Sequence, residues 1–341
     1  MDKHKILYIP TKAHTEIVFT KEDFEMFLRL FDVTVNVKDQ DLTSSEVAEL
    51  IAGMEGIVTG WGSPRLTDEV FERADELKII VHSAGSVRPI LTKSLVEKYV
   101  IPRGICVVSC RRAIAYNVAE SAVGMMIMAS RRWVDHIQAY REKGVWRASG
   151  IPANGQFLRG AVVGIVGVGM VGREVIRLLK PFDVKTILVY DPYLSDWEAG
   201  RLGVIKVGLN ELFEKSDIVS IHAPLTSETY HMIGRDQLRR MRDGAVLINT
   251  ARGGVIDHDA LLEECRKGRI IAVLDVTEPE PLPPDSPFRK LKNVYVTPHV
   301  AGAGYYGYHM IGKIVVKSLE DFFAGRPVKD ALDMSRYDIT A

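Results

Sequence analysis

The sequence predicts an α/β protein of two doubly wound parallel-sheet domains, with the active site in the cleft between them. Three observations carry that expectation. Short apolar runs alternate with amphipathic stretches along almost the whole chain, as strands do when helices cover both faces of their sheet. One such run, 161–166, opens directly into Gly167-x-Gly169-x-x-Gly172, followed by a helical face of Val175, Ile176, Leu178 and Leu179. At 341 residues the chain also exceeds what one hydrophobic core usually organises.

In the first 110 residues, strand-like runs at 5–9, 33–37, 56–60, 77–83 and 105–109 enclose helical patterns at 22–31, 44–54, 68–76 and 93–100. Thr43 and Thr67 stand where helix N-caps are expected. Five strands separated by helices require right-handed crossovers and a flavodoxin-like sheet. A single helix is expected over 111–140, then a loop-rich segment of Gly, Pro and Asn up to 160. From 161 the alternation resumes, with strands at 161–166, 185–191, 204–207, 217–224, 244–252, 270–276 and 293–302, giving a second, Rossmann-like sheet. The amphipathic tail at 307–325 is too short to be a domain and is expected to return to the first one. The expected domains are therefore 1–110 with 303–341 for substrate, and 111–302 for a dinucleotide, with hinges near 109–116 and 299–306.

Composition narrows the function. Lys and Arg total 44, as do Asp and Glu, so nothing pulls the chain toward nucleic acid or an anionic membrane. Three cysteines without CxxC spacing fit a reducing cytoplasm and argue against a disulfide framework or a metal site. The most apolar helical stretch, 122–129, falls far short of the ~20 residues that span a bilayer.

The glycine motif has the context a dinucleotide requires: strand, tight turn, helix. Gly167 permits the turn, Gly169 lets a pyrophosphate approach the backbone, and Gly172 lets the helix pack on its strand. The N–H groups of Met170 and Val171 then face the phosphates at the positive end of the helix. Asp191 ends the next strand, 19 residues after Gly172. A carboxylate there accepts ribose hydroxyls and repels a 2′-phosphate, so NAD is expected rather than NADP.

Three later strand ends carry reactive groups: 249–254 with Arg252, 275–281 with Asp275 and Glu280, and 298–302 with His299. Arginine, carboxylate and histidine at the carboxyl ends of parallel strands suit the reduction of a 2-keto acid. The arginine forks onto the substrate carboxylate, the histidine gives or takes the hydroxyl proton, and the carboxylate orients it. The hydride belongs to the nicotinamide.

In VGIVGVGMVG, SDIVSIHAPLTSET, LINTARGGVID, LDVTEPEPLP and TPHVAG the chain resembles the D-isomer-specific 2-hydroxyacid dehydrogenases, which include phosphoglycerate dehydrogenase and glyoxylate and hydroxypyruvate reductases. The resemblance implies Arg252 as the substrate-carboxylate arginine, Glu280 as the partner of the histidine and His299 as the acid/base. It implies that Asp275 holds the nicotinamide carboxamide and that Thr229 contacts a phosphate. Ala223, Pro224, Thr250, Ala251, His299 and Gly302 would line the rest of the NAD site. D stereochemistry and a homodimer through the NAD-binding domain, with helix 116–132 as candidate surface, come from the same source. His222 is expected as a cofactor-wall residue, and His258 and the N-terminal histidines as surface groups.

Where many relatives have a Gly-Val-Gly-x-Asp type loop, this chain has Ser83-Ala84-Gly85-Ser86-Val87-Arg88. The Ala84 and Gly85 N–H groups are expected to bind the substrate carboxylate as the family's loop does. Arg88, Arg111 and Arg112 could meet a second anionic group such as a phosphate, although a structural role is the commoner use of such residues. Trp61 and Tyr305-Tyr306 could form an aromatic wall, or lie in the core or a subunit contact. Two alternatives keep the fold: an NAD-sensing, corepressor-like binding protein, and a phosphite-type dehydrogenase. Formate oxidation would require a Gln–His arrangement in place of Glu280.

Overall fold

The computed structural model describes residues 3–147, 149–152 and 155–340. The chain divides into two compact units, Met1–Ile114 with Ala303–Ala341, and Ala115–Gly302.

The first unit runs β1 (Lys5–Tyr8), α1 (Lys12–Val18), α2 (Lys21–Leu30), β2 (Asp32–Val35), α3 (Ser44–Leu50), β3 (Gly56–Thr59), α4 (Asp68–Arg73), β4 (Ile79–His82), α5 (Lys93–Leu95) and β5 (Cys106–Ser109). All its strands are parallel, in the order β2-β1-β3-β4-β5, the flavodoxin-like order. Alternate residues of each strand face opposite layers. Leu7, Ile57, Ile80 and Val107 join one core, and Ile6, Tyr8, Val58, Val81 and Val108 join the other. Thr43 closes a full capping box with Glu46. Thr67 does sit at the N-cap of α4, but its side chain makes no capping bond. Helix α1 has no counterpart in the sequence pattern: Lys12–Val18 lacks an apolar stripe, and its buried residues are His14 and Val18.

The second unit is built on α6 (Arg111–Ser130), within which the division falls, then α7 (Trp133–Lys143), β6 (Val162–Val166), α8 (Met170–Leu179), β7 (Thr186–Tyr190), α9 (Asp196–Leu202), β8 (Ile205–Lys206), α10 (Leu209–Lys215), β9 (Ile218–Ile221), α11 (Arg235–Arg240), β10 (Val246–Asn249), α12 (His258–Arg266), β11 (Ile271–Leu274) and β12 (Val294–Val296). Its sheet is wholly parallel, ordered β12-β11-β10-β9-β6-β7-β8, so the strand order reverses between β6 and β9. Ligands enter open α/β sheets at the carboxyl ends of the strands beside such a reversal.

Two expectations fail here. The helix over 111–140 is broken: Arg132 adopts a left-handed conformation (φ +54°) between α6 and α7 and ion-pairs with Asp135 of the next turn. The apolar character of α6 also extends beyond the eight residues 122–129. At 20 residues it is long and apolar enough, by length and composition, to cross a membrane. In the structure it is half buried, with Ala119, Ala122, Val123, Met126 and Ala129 in one cluster with Val163, Ile165, Ile187 and Val189.

Finally, α13 (Tyr305–Phe323) returns to the first unit. It places Ile311, Ile314, Val315 and Leu319 in the same cluster as Ile6, Val58 and Val81.

Candidate active site

The glycine turn meets the demands of a dinucleotide. Gly167 holds φ +90°, and a Cβ there would lie 2.7 Å from the Ala223 N atom; a Cβ at Gly172 would lie 2.2 Å from the Gly167 carbonyl. These two glycines serve the protein's own packing. A Cβ on Gly169 would meet nothing within 4 Å, so that backbone is open to a ligand. Gly169 is also the N-cap of α8 and carries no capping side chain, leaving the Met170 and Val171 end of the helix to a phosphate. The Asp191 carboxylate accepts from Val168 N (2.7 Å) and Tyr193 N (2.8 Å), which fixes it beside the turn. One lone pair per oxygen remains for ribose hydroxyls. The residues present therefore fit the adenosine and pyrophosphate of NAD.

Further along this edge, His222 and Thr250 are buried at the ends of the paired strands β9 and β10. His222 Nε2 meets Ser220 Oγ at 2.9 Å, and burial pushes the imidazole down to about 3. The Nδ1 atom of His222 and the Oγ1 atom of Thr250 have no partner among the described residues. The Thr229 hydroxyl instead staples its own turn, donating to the Pro224 carbonyl (2.6 Å) and accepting from Thr226 N (2.8 Å).

His299 and Glu280 stand together. The Nδ1 atom of His299 lies 2.6 Å from Glu280 Oε1, with both side chains about half exposed. His299 occupies the left-handed region at φ +54°, a conformation a non-glycine residue holds only when its surroundings impose it. Asp275 imposes it. This carboxylate, 2% exposed, accepts from Thr297 Oγ1 (2.5 Å), Val300 N (2.9 Å) and Ala301 N (2.9 Å), and its own carbonyl accepts from His299 N (2.9 Å). Asp275 thus encloses the histidine turn on both sides. A cavity of about 650 Å³ opens beside the pair, floored by Leu282, Phe288 and Val294.

Arg252 is aimed by its neighbours. The buried Asn249 amide accepts from Ala251 N and donates to the Arg252 carbonyl, and the guanidinium rests on the Ala251 carbonyl at 2.6 Å with its side chain exposed. A Cβ on Gly253 would lie 2.2 Å from the Thr277 carbonyl group, so this glycine lets the arginine turn press against the loop that carries Glu280. That loop also engages two histidines outside the expected set. Glu278 pairs with His231 (2.8 Å), and the Glu278 N–H donates to His258 Nε2 (3.2 Å). His258 is 9% exposed, contrary to the surface role expected of it.

In the first unit, Ala84 and Gly85 follow β4. Neither N–H donates to a protein acceptor among the described residues, while the Gly85 carbonyl accepts from Ser109 Oγ. His14 is not a surface group: it is 5% exposed and bonded to Ser83. Trp61 lies edge-on to His14 (5.3 Å) and Tyr308 (5.2 Å), whereas Tyr305 and Tyr306 project into solvent. Two of the three arginines are committed elsewhere. Arg112 makes a two-pronged bond to Asp330 (2.8 Å each), and Arg88 caps the Asp338 carbonyl over the Tyr337 ring. Among the described residues no His, Cys, Asp and Glu cluster could hold a metal ion.

The chain is similar to known proteins. Residues 123–301, over half the chain, match the family model for the NAD binding domain of D-isomer specific 2-hydroxyacid dehydrogenases. A glyoxylate reductase of Korarchaeum cryptofilum is 38% identical over 292 residues, covering 84% of this chain and 86% of that protein. A D-3-phosphoglycerate dehydrogenase of Archaeoglobus fulgidus is 32% identical over 90% of this chain, which spans only 56% of its length. Among solved structures, a phosphoglycerate oxidoreductase from Rhizobium etli superimposes with a TM-score of 0.79 at 26% identity, covering 96% of this chain and 98% of that one.

Proposed function

The chain belongs to the D-isomer-specific 2-hydroxyacid dehydrogenase family and is an NAD-dependent oxidoreductase of CH–OH donors; we propose that Arg252, Glu280 and His299 interconvert a small 2-keto acid and its D-2-hydroxy acid. The 2.6 Å contact between His299 and Glu280, on a turn that Asp275 holds, carries this reading. A carboxylate can only accept, so the imidazole presents its Nδ1 proton to Glu280 and keeps Nε2 for chemistry. In the reducing direction, Nε2–H gives its proton to the ketone oxygen as it becomes a hydroxyl, and Glu280 steadies the charged ring beforehand. Arg252 grips the substrate carboxylate and polarises the ketone. Bound NADH supplies the hydride to the carbonyl carbon. The Ala84 and Gly85 N–H groups are further donors to the substrate carboxylate.

The test is NADH oxidation against glyoxylate, hydroxypyruvate, pyruvate, 2-ketoglutarate, phosphohydroxypyruvate and bulkier 2-keto acids, with His299→Ala in parallel. Turnover that vanishes in the variant supports the assignment and identifies the substrate. NADH binding without turnover on any substrate would favour the sensor alternative.

We place the protein in the cytoplasm as a homodimer. Three free cysteines suit a reducing compartment. Exposed Trp133, Ile137, Tyr140, Trp146 and Phe157 form an apolar zone on the second unit, with Arg131 stacked on Phe157 (4.6 Å), the composition of a subunit contact. Sedimentation of the wild type and of Ile137→Glu should give a dimer and a monomer; a wild-type monomer would refute the assembly.

A further inference from the structure

Directly beneath the 83–85 loop lies a polar chain that the reaction does not use. The Ser83 hydroxyl donates to the Thr59 carbonyl at 2.7 Å and meets His14 Nε2 at 2.8 Å. A serine hydroxyl has one proton, and here the carbonyl takes it, so His14 must carry its proton on Nε2 and donate to Ser83. Beside them, Thr59 Oγ1 meets His82 Nδ1 at 2.8 Å. Thr59 and Ser83 are fully buried, His82 is 3% exposed and His14 5%. Burial lowers His14 to about 4 and His82 to about 3, so both rings are neutral at working pH.

The network spans elements far apart in sequence. His14 stands on α1, which follows β1; Thr59 ends β3; His82 and Ser83 end β4. The sequence makes room for the ring, since a Cβ on Gly60 would lie 2.5 Å from His14 Cε1. The loop is gripped from its other side too, by Ser109 Oγ on the Gly85 carbonyl. Between these two grips lie the N–H groups of Ala84 and Gly85, neither given to a protein acceptor among the described residues, although Ala84 is wholly buried. A buried N–H such as that of Ala84 is costly without an acceptor, and together with the partly exposed N–H of Gly85 it makes two consecutive donors for an anion.

We propose that His14, acting through Ser83, is a positioning residue that aims the Ala84 and Gly85 N–H groups at the substrate carboxylate. The Ser83 side chain gives the loop an anchor that a glycine could not. His14 touches neither substrate nor cofactor and belongs to the affinity of the site, not its proton chemistry. This inference rests on the proposed role of Ala84 and Gly85.

The experiment measures the affinity of the enzyme–NADH complex for oxalate, a non-reacting mimic of the keto-acid head, alongside KM and kcat for glyoxylate. His14→Phe and Ser83→Ala should each weaken oxalate binding and raise KM roughly five- to tenfold, the effect of one buried hydrogen bond, with kcat and NADH affinity within about twofold. His14→Gln retains a donor and should recover most of the loss. If His14→Phe does not fold, Ser83→Ala, which removes only an oxygen, carries the test. Unchanged oxalate affinity, a His14→Gln variant as weak as His14→Phe, or an equal loss of NADH affinity would overturn the proposal. A wild type that binds NADH but neither oxalate nor any keto acid would instead refute the proposed function.

Discussion

The His299 turn and the 83–85 loop both follow strands of a parallel sheet, yet opposite means hold them. His299 is half exposed, sits in a left-handed conformation and pairs with a half-exposed carboxylate. The 83–85 loop rests on buried imidazoles that burial keeps neutral. In the role we propose, the proton-passing His299 keeps contact with solvent and with a carboxylate. A backbone recess for an anion needs only rigidity, which neutral hydrogen bonds in a dry interior supply without the desolvation cost of charge.

The largest effect tests this division directly. His299→Ala should lower kcat by about 10³-fold while leaving oxalate binding nearly intact, as expected when a general acid is removed but the anion recess remains. Equal losses in both would mean that the two regions do not divide the work.

Acid should separate them next. His14 and His82 are lowered below the ~6.5 of an unfolded histidine, so the unfolded chain binds protons that the folded one refuses. Their contribution is complete above pH 6.5. It falls as pH drops through 6.5 toward about 4 and 3, by about 1.4 kcal/mol per pH unit for each ring. Hydrogen exchange, corrected for intrinsic rate, should show the Ser83 and Cys110 amides, which bond to Thr59 and His82, losing protection between pH 7 and 5 faster than Val300 and Ala301, which Asp275 holds. Parallel loss would contradict the contrast.

The smallest effect concerns Asp275. Asp275→Asn places an amide where three donors converge, so the turn should loosen by about 1–3 kcal/mol, with kcat falling roughly 10- to 100-fold. NADH affinity measured alongside distinguishes its two roles. An unchanged value means that Asp275 serves the histidine turn; a parallel loss means that it also clasps the nicotinamide.

The same contrast explains what could be read from the chain. Gly167, Gly169, Gly172, Asp191, Arg252, Glu280 and His299 lie in short motifs at strand ends, where spacing and order make them readable. The two-sheet fold was legible for a related reason, since buried parallel strands announce themselves as apolar runs. His14 gave no such sign. It sits on a seven-residue helix with no apolar stripe, and its partner Ser83 lies 69 positions away. An isolated histidine among lysines and threonines reads as a surface group; only tertiary structure buries it. The left-handed Arg132 was equally silent, because neither glycine nor proline marks the break.

Helix α13 fills one of the two cores of the first unit, and Leu332 N and Ala331 then pair with the edge strand β5. The unit therefore draws on both of its segments, with the whole second unit threaded between them. On a ribosome, 115–302 is complete and free to fold while the earlier strands still lack the helix that covers one of their faces. Those strands must wait, apolar side exposed, until about residue 334 has emerged. The unit begun first is thus the one completed last, and the interval between is when a chaperone would have something to hold.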